Sequence, residues 1–300
     1  MKKVFKWVGI VLGVLVLLVV LVAAGVFAMS STTISKTYAV APRSVRIPAD
    51  SAALSYGAHV AVIKGCTECH GADLSGQMIM DAPPMGRFAA SNLTSGKGGV
   101  GGKYTDEDWV RAIRHGVASD GRGLLIMPSE EYYFLSDEDL GALIAFIKST
   151  PPVEKEWPNR EFGPVARALM VAGQLPVPAE MLDHNAARPE APTPGVTVAY
   201  GGYLATVCVG CHGANFSGGP AASGPPGGPE AANLTAHETG VGSWTEAQFM
   251  QMLRTGIGPD GRAIDNTFMP WRPIGKMTDD ELKALWRFFQ SLPPTPKGQR

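Results

Sequence analysis

Cys66-Thr67-Glu68-Cys69-His70 and Cys208-Val209-Gly210-Cys211-His212 hold all four cysteines of the chain, in one spacing used twice. Two thiols on a single helical turn can each add to a vinyl group of a haem, and the adjacent imidazole then meets the iron. C-x-x-C-H is the attachment pattern of c-type haem. A thioredoxin-like dithiol needs no following histidine. A zinc site consuming all four thiols leaves the equal spacings around the motifs unexplained. The pattern predicts two covalently bound haem c groups, one on Cys66 and Cys69 and one on Cys208 and Cys211. His70 and His212 are then the proximal axial ligands of the two irons.

Outward from the motifs, the chain repeats itself. Cys66 and Cys208 lie 142 residues apart, and so do Met127-Pro128 and Met269-Pro270, and Pro83-Pro84 and Pro225-Pro226. Asn92-Leu93-Thr94 returns as Asn233-Leu234-Thr235, and Asp120-Gly121-Arg122 as Asp260-Gly261-Arg262. Each copy reads as helical. Trp109, Ala112, Ile113 and Gly116 follow Thr105 at helix-face spacing, as Phe249, Met252, Leu253 and Gly256 follow Thr245. Thr245 with Gln248, and Thr278 with Glu281, have capping-box spacing. Two further helices, after Ser136 and Thr278, stop at Pro151-Pro152 and Pro293-Pro294. Helices near 51–65 and 199–207 lead into the two motifs. The fold class expected is all-α, with modules over 50–152 and 197–294. A proline-rich linker over 153–196 has one short helix, from Val165 to Gln174.

A sixth iron ligand is needed if haem is to carry electrons without opening the metal to substrate. A thioether sulfur stabilises ferrous iron and raises the potential. The candidates are Met78, Met80, Met85 and Met127 in the first copy, and Met250, Met252, Met269 and Met277 in the second. Only Met127 and Met269 match, each 57 residues past its motif histidine and each followed by proline. His59, His115, His184 and His237 form no matched pair. A ligating imidazole usually donates its other N–H to a carbonyl or carboxylate, and the Pro83-Pro84 and Pro225-Pro226 segments are the expected source. Arg114 and Arg254 are candidate partners for haem propionates; solvated side chains are the plainer reading. The Asp-Gly-Arg pairs are turn signals first. Gly96–Lys103 lacks Walker spacing, with Lys97 where glycine is required and Tyr104 where Ser or Thr is; it and 238–242 read as flexible turns.

The N-terminus runs from Trp7 to Met29 without a charge, about 35 Å of helix against a hydrocarbon layer of ~30 Å. A secretion signal, with Val26-Phe27-Ala28 as cleavage site, usually has an apolar region of only about 7–15 residues. Residues 1–30 are therefore expected to be an uncleaved anchor. Lys2, Lys3 and Lys6 would keep the short end in the cytoplasm and the modules on the periplasmic face of a bacterial cytoplasmic membrane. With 26 basic and 27 acidic residues among 300, the chain is no candidate for nucleic-acid binding. Its 45% hydrophobic content rules out wholesale disorder.

On Cys66–His70, Met127, Cys208–His212 and Met269, the chain resembles the class I cytochrome c family, present twice. The Asn-Leu-Thr, Asp-Gly-Arg and Met-Pro elements resemble more particularly the cytochrome subunits of membrane-bound bacterial dehydrogenases. Those commonly carry three haems, where this chain has two motifs. The resemblance implies electron carriage, not catalysis. Expected partners are a dehydrogenase or quinol-oxidising complex as donor, and a terminal oxidase or soluble cytochrome as acceptor. A dihaem enzyme such as a peroxidase is the alternative. It usually needs two unlike haem sites, against the equal His-to-Met spacing.

Overall fold

The computed structural model describes residues 2–188, 190–220 and 228–299. Helix α1 (Lys2–Ser35) has 34 residues, exposes its apolar side chains all round, and is long and apolar enough to cross a membrane. Apolar surface on every face requires a covering environment, and a bilayer is one.

The first module is built from α2 (Ser51–Ile63), α3 (Cys66–His70), α4 (Asp106–His115), α5 (Ser129–Tyr132) and α6 (Asp137–Ser149). After α7 (Pro164–Val171), the second repeats the plan with α8 (Val198–Leu204), α9 (Val209–His212), α10 (Glu246–Thr255), α11 (Trp271–Ile274) and α12 (Asp279–Ser291). The expected capping boxes form at Thr245 and Thr278, and a third, unanticipated, joins Thr105 to Asp108. Gly116 and Gly256 end α4 and α10 at φ 65° and 70°, the left-handed closure that glycine adopts without strain.

Glycines also set the closest helix crossings. A Cβ built on Gly57 of α2 would stand 2.0 Å from the Ala142 carbonyl oxygen of α6. One on Gly201 of α8 would stand 2.0 Å from that of Ala284 on α12. Around these crossings Leu74, Trp109, Leu140 and Ile144 fill one core, and Phe249, Leu282, Leu285 and Phe289 the other. Each such burial is worth about 1.5–3 kcal/mol.

The all-helical expectation needs one addition, a small sheet. Strand β1 (Met78–Ala82) pairs antiparallel with β2 (Gly86–Ala89), and β3 (Glu161–Phe162) adds to the other edge of β2. Pro83-Pro84 falls in the connection between β1 and β2, where Val165 N–H donates to the Pro84 carbonyl at 2.9 Å. Residues 96–103 are not loose either. They fold over Asn92 and Thr94, with Val100 N–H donating to Asn92 O at 2.9 Å and Gly101 N–H to Thr94 O at 3.1 Å.

The helix foreseen between Val165 and Gln174 is α7, three residues shorter at its C-terminal end, and it packs against α1. Arg167 donates to the Ser30 hydroxyl at 2.9 Å and the Ser31 hydroxyl at 3.1 Å, its guanidinium 4.3 Å from the Phe27 ring centre.

The modules meet through buried polar groups. Tyr56 of α2 donates to Asp139 of α6 within the first module, as Tyr200 of α8 donates to Glu281 of α12 within the second. His59, one turn beyond Tyr56, crosses to Glu281 at 2.9 Å, and Tyr203, one turn beyond Tyr200, crosses to Asp139. The contacts exchange when the modules are exchanged. Lys64 is buried between them, its ammonium 5.3 Å from the Tyr203 ring centre.

Candidate haem sites

Each cysteine motif forms a short helix closed by glycine. Gly71 and Gly213, directly after His70 and His212, take φ 79° and 80°. This turn brings the chain back across the histidine. Gly76 N–H donates to His70 O at 2.7 Å, and Gly218 N–H to His212 O at 2.9 Å.

In the first module Cys66, Cys69, His70 and Met127 line one cavity of about 340 Å³, whose walls include Phe88, Trp109, Leu143 and Ile147. In the second, Met269 and Cys208 both pack against that module's core, and His212 is buried. Burial pushes the thiols of Cys66 and Cys208 up to about 12. They are protonated thiols, unlike the depressed thiolates of a redox dithiol.

Burial also lowers His70 and His212, so both imidazoles are neutral. His70 Nδ1 faces the Ser91 carbonyl at 2.8 Å, and His212 Nδ1 faces that of Ala232 at 2.7 Å. A carbonyl only accepts, so Nδ1 carries the proton in each ring and the Nε2 lone pair is left for a metal. The carbonyl expected from Pro83-Pro84 therefore comes from Ser91. Pro225-Pro226 lies outside the described residues, and Ala232 serves His212. Ser91 and Ala232 immediately precede Asn92 and Asn233, so the Asn-Leu-Thr repeat was the usable signal. Asn92 and Asn233 are buried and hold their segments through Thr94 and Thr235.

The two Met-Pro turns share one backbone conformation. Pro128 has φ −78° and ψ 68°, Pro270 φ −74° and ψ 66°. In each an inverse γ-turn closes as the residue after proline donates to the methionine carbonyl, Ser129 to Met127 at 2.8 Å and Trp271 to Met269 at 2.7 Å. Proline's fixed φ prepares this turn. Met252 and Met277 are core residues. In β1 it is Ile79, not Met78 or Met80, that lines the first cavity.

Arg114 is not solvated but buried, and both arginines are engaged by protein groups. Fully buried Arg114 donates to Leu135 O at 2.7 Å and pairs with Asp137 at 2.8 Å. Arg254 donates to the carbonyls of Gly275 and Met277 and pairs with Asp279 at 2.6 Å. Each ties the end of its helix to the start of the module's last one. The Asp-Gly-Arg segments are turns, with Arg122 N–H and Arg262 N–H donating to Asp120 and Asp260.

A deep apolar cavity, protonated thiols on its wall and an imidazole with a free Nε2 together fit a covalently held haem in the first module. The histidine and methionine-turn geometry of the second is the same. The family model for cytochrome c matches residues 54–151 and 199–293. The chain belongs to the cytochrome c family, whose domains hold covalently bound haem c and transfer electrons. It is 28% identical over 269 residues to the fructose dehydrogenase cytochrome subunit of Gluconobacter japonicus, covering 80% of this chain and 52% of that protein. Identity is also 28%, over 290 residues, to the cytochrome c subunit of the quinone alcohol dehydrogenase of Gluconobacter oxydans, covering 84% and 57%. With the gluconate 2-dehydrogenase cytochrome c subunit of Pantoea cypripedii it is 30% over 279 residues, covering 81% and 60%. The chain thus spans little more than half the length of these relatives.

Proposed function

We propose that this chain is a membrane-anchored dihaem cytochrome that accepts electrons from a dehydrogenase and passes them to a terminal oxidase or another cytochrome. The observation that carries the reading is the repeated geometry: a C-x-x-C-H helix, an Nδ1–H bonded to a backbone carbonyl, and a methionine held in a proline turn. Cys66, Cys69, Cys208 and Cys211 would hold the haems through thioethers, and His70, Met127, His212 and Met269 would supply the axial ligands. The haem, when bound, supplies one-electron redox chemistry.

The protein's residues do the rest. Ser91 O and Ala232 O orient the imidazoles and raise their basicity. Pro128 and Pro270 fix the methionine loops, and the apolar walls exclude water from the metal. The dehydrogenase partner is supported by the relatives' names. The periplasmic position is supported by Lys2, Lys3 and Lys6 at the N-terminal end of α1.

Haem staining and pyridine haemochrome analysis of the membrane-purified protein should give two covalent haems per chain. Met127→Ala and Met269→Ala should each gain carbon monoxide binding at one ferrous haem. Absence of that gain in both would overturn the axial assignment. Mild-detergent purification should bring down a dehydrogenase in stoichiometric amount; recovery with an oxidase alone would overturn the donor assignment.

A further inference from the structure

The segment between the modules does more than connect them. Its first part is strapped to the first module. Asn92 Nδ2 donates to Val153 O at 2.8 Å, Val153 N–H to the Thr94 hydroxyl at 3.0 Å, and Lys155 N–H to Lys97 O at 3.0 Å. Trp157 Nε1 donates to Ser75 O at 2.9 Å while Lys155 sits 4.6 Å from its ring centre. Four residues later β3 is paired to β2. Trp157, Pro158, Asn159 and Arg160 are held between these two anchor points, and all four line the cavity that contains Cys66, Cys69, His70 and Met127.

Arg160 is the one arginine or lysine lining that cavity, and it stands at the exposed rim. It has no hydrogen bond or ion pair among the described residues. Its electrostatic neighbours are Arg122, Asp120 and Tyr104. The Asp120 carboxylate is already engaged by Arg122, at 2.6 Å from Nη2 and 2.8 Å from Nε. One positive charge is therefore left over at the mouth of a mostly apolar cavity. The neighbours of Cys66 are a different set, Lys64, Cys69 and Tyr132, so the cavity keeps its thiols and its one guanidinium among separate neighbours. A haem c is divided too, with thioethers along one edge and two carboxylates along the opposite one. Guanidinium matches carboxylate in shape and charge.

We propose that Arg160, on the segment between the modules, binds the propionates of the first haem and makes that segment a wall of the haem pocket. The inference rests on the dihaem reading above. A cation beside the propionates favours the reduced haem, which carries one more negative charge than the oxidised form, and so raises its potential.

The experiment is a redox titration of the full membrane-purified protein, followed in the haem absorption bands. The first haem is identified as the wave that moves in Met127→Ala. In Arg160→Gln the first haem's potential should fall and the second should stay in place. In Arg160→Lys most of the first haem's potential should be retained. Unchanged potentials in Arg160→Gln, an equal fall in both, or a fall not rescued by lysine would each overturn the assignment. A structural role alone would lower the melting temperature without a fall in the first haem's potential that lysine rescues. Haem counting on the same samples separates the two claims. Fewer than two covalent haems in the parent protein would defeat the dihaem reading itself; two haems with an unmoved first wave would defeat only the role of Arg160.

Discussion

Replacing Asn92 by Ala tests how the scaffold reaches His70, the proposed iron ligand. Asn92 is 1% exposed. Its Nδ2 donates to Val153 O at 2.8 Å and Lys155 O at 3.2 Å. Its Oδ1 accepts from Thr94 N–H at 2.9 Å and the Thr94 hydroxyl at 2.8 Å. Four bonds at a net ~0.5–1.5 kcal/mol each, with Thr94 N–H left buried without that acceptor, give a loss of about 3–4 kcal/mol. At roughly 2–4 °C per kcal/mol for a chain this long, the melting temperature should fall by about 10 °C. Ser91, whose carbonyl accepts from His70 Nδ1, is the preceding residue. Loosening that bond makes the imidazole a poorer electron donor, destabilises ferric iron and should raise the first haem's potential. The second haem, served by Asn233 and Ala232, should not move. The assay is a thermal melt in the haem absorption band together with a two-wave redox titration. A variant that melts like the parent, or melts lower with an unchanged first potential, would refute the link from asparagine to ligand.

Gly201→Ala places a Cβ 2.0 Å from the Ala284 carbonyl oxygen; a loss of about 1–3 kcal/mol is expected in a chemical denaturation series. His115 is pushed down to about 4 by burial, with His184, Arg114 and Arg111 adding repulsion. As pH falls from 6.5 towards 4 the unfolded chain gains a proton that the folded protein refuses, so stability is lost across that window; His115→Gln should remove this share. His59 has the opposite sign. Its hydrogen bond to Glu281 raises it above 6.5 against the cost of burial, so its contribution is complete below 6.5 and is lost as pH rises through the folded value. Stability curves of His59→Gln between pH 6 and 9 should be flatter than the parent's.

The cysteine motifs, the Met-Pro repeats and the capping residues are legible in the sequence because their chemistry is carried by side chains. What escaped notice is carried by backbone or by distance. Ser91 and Ala232 act through a carbonyl that every residue owns. Arg114 could be read as solvent-facing or propionate-binding because its partners, Leu135 and Asp137, lie more than twenty positions away. The sheet stayed hidden because β3 has two residues and sits in a segment whose prolines mark it as connection. Pro83-Pro84 repeats at Pro225-Pro226, and that repetition suggests a link to the histidines. In the first copy its role is to turn a hairpin.

The crossed pairs His59–Glu281 and Tyr203–Asp139 are what a two-fold homodimer of one module would make, the same patch meeting itself about an axis. In such a dimer a substitution at either position alters both halves of the interface at once, and few survive. Covalent fusion removes that constraint. It makes association independent of concentration and lets the two half-interfaces evolve separately. Position 59 is now an imidazole whose titration lies above the ordinary histidine value and position 203 a phenol, so the two halves of the junction no longer respond to pH alike.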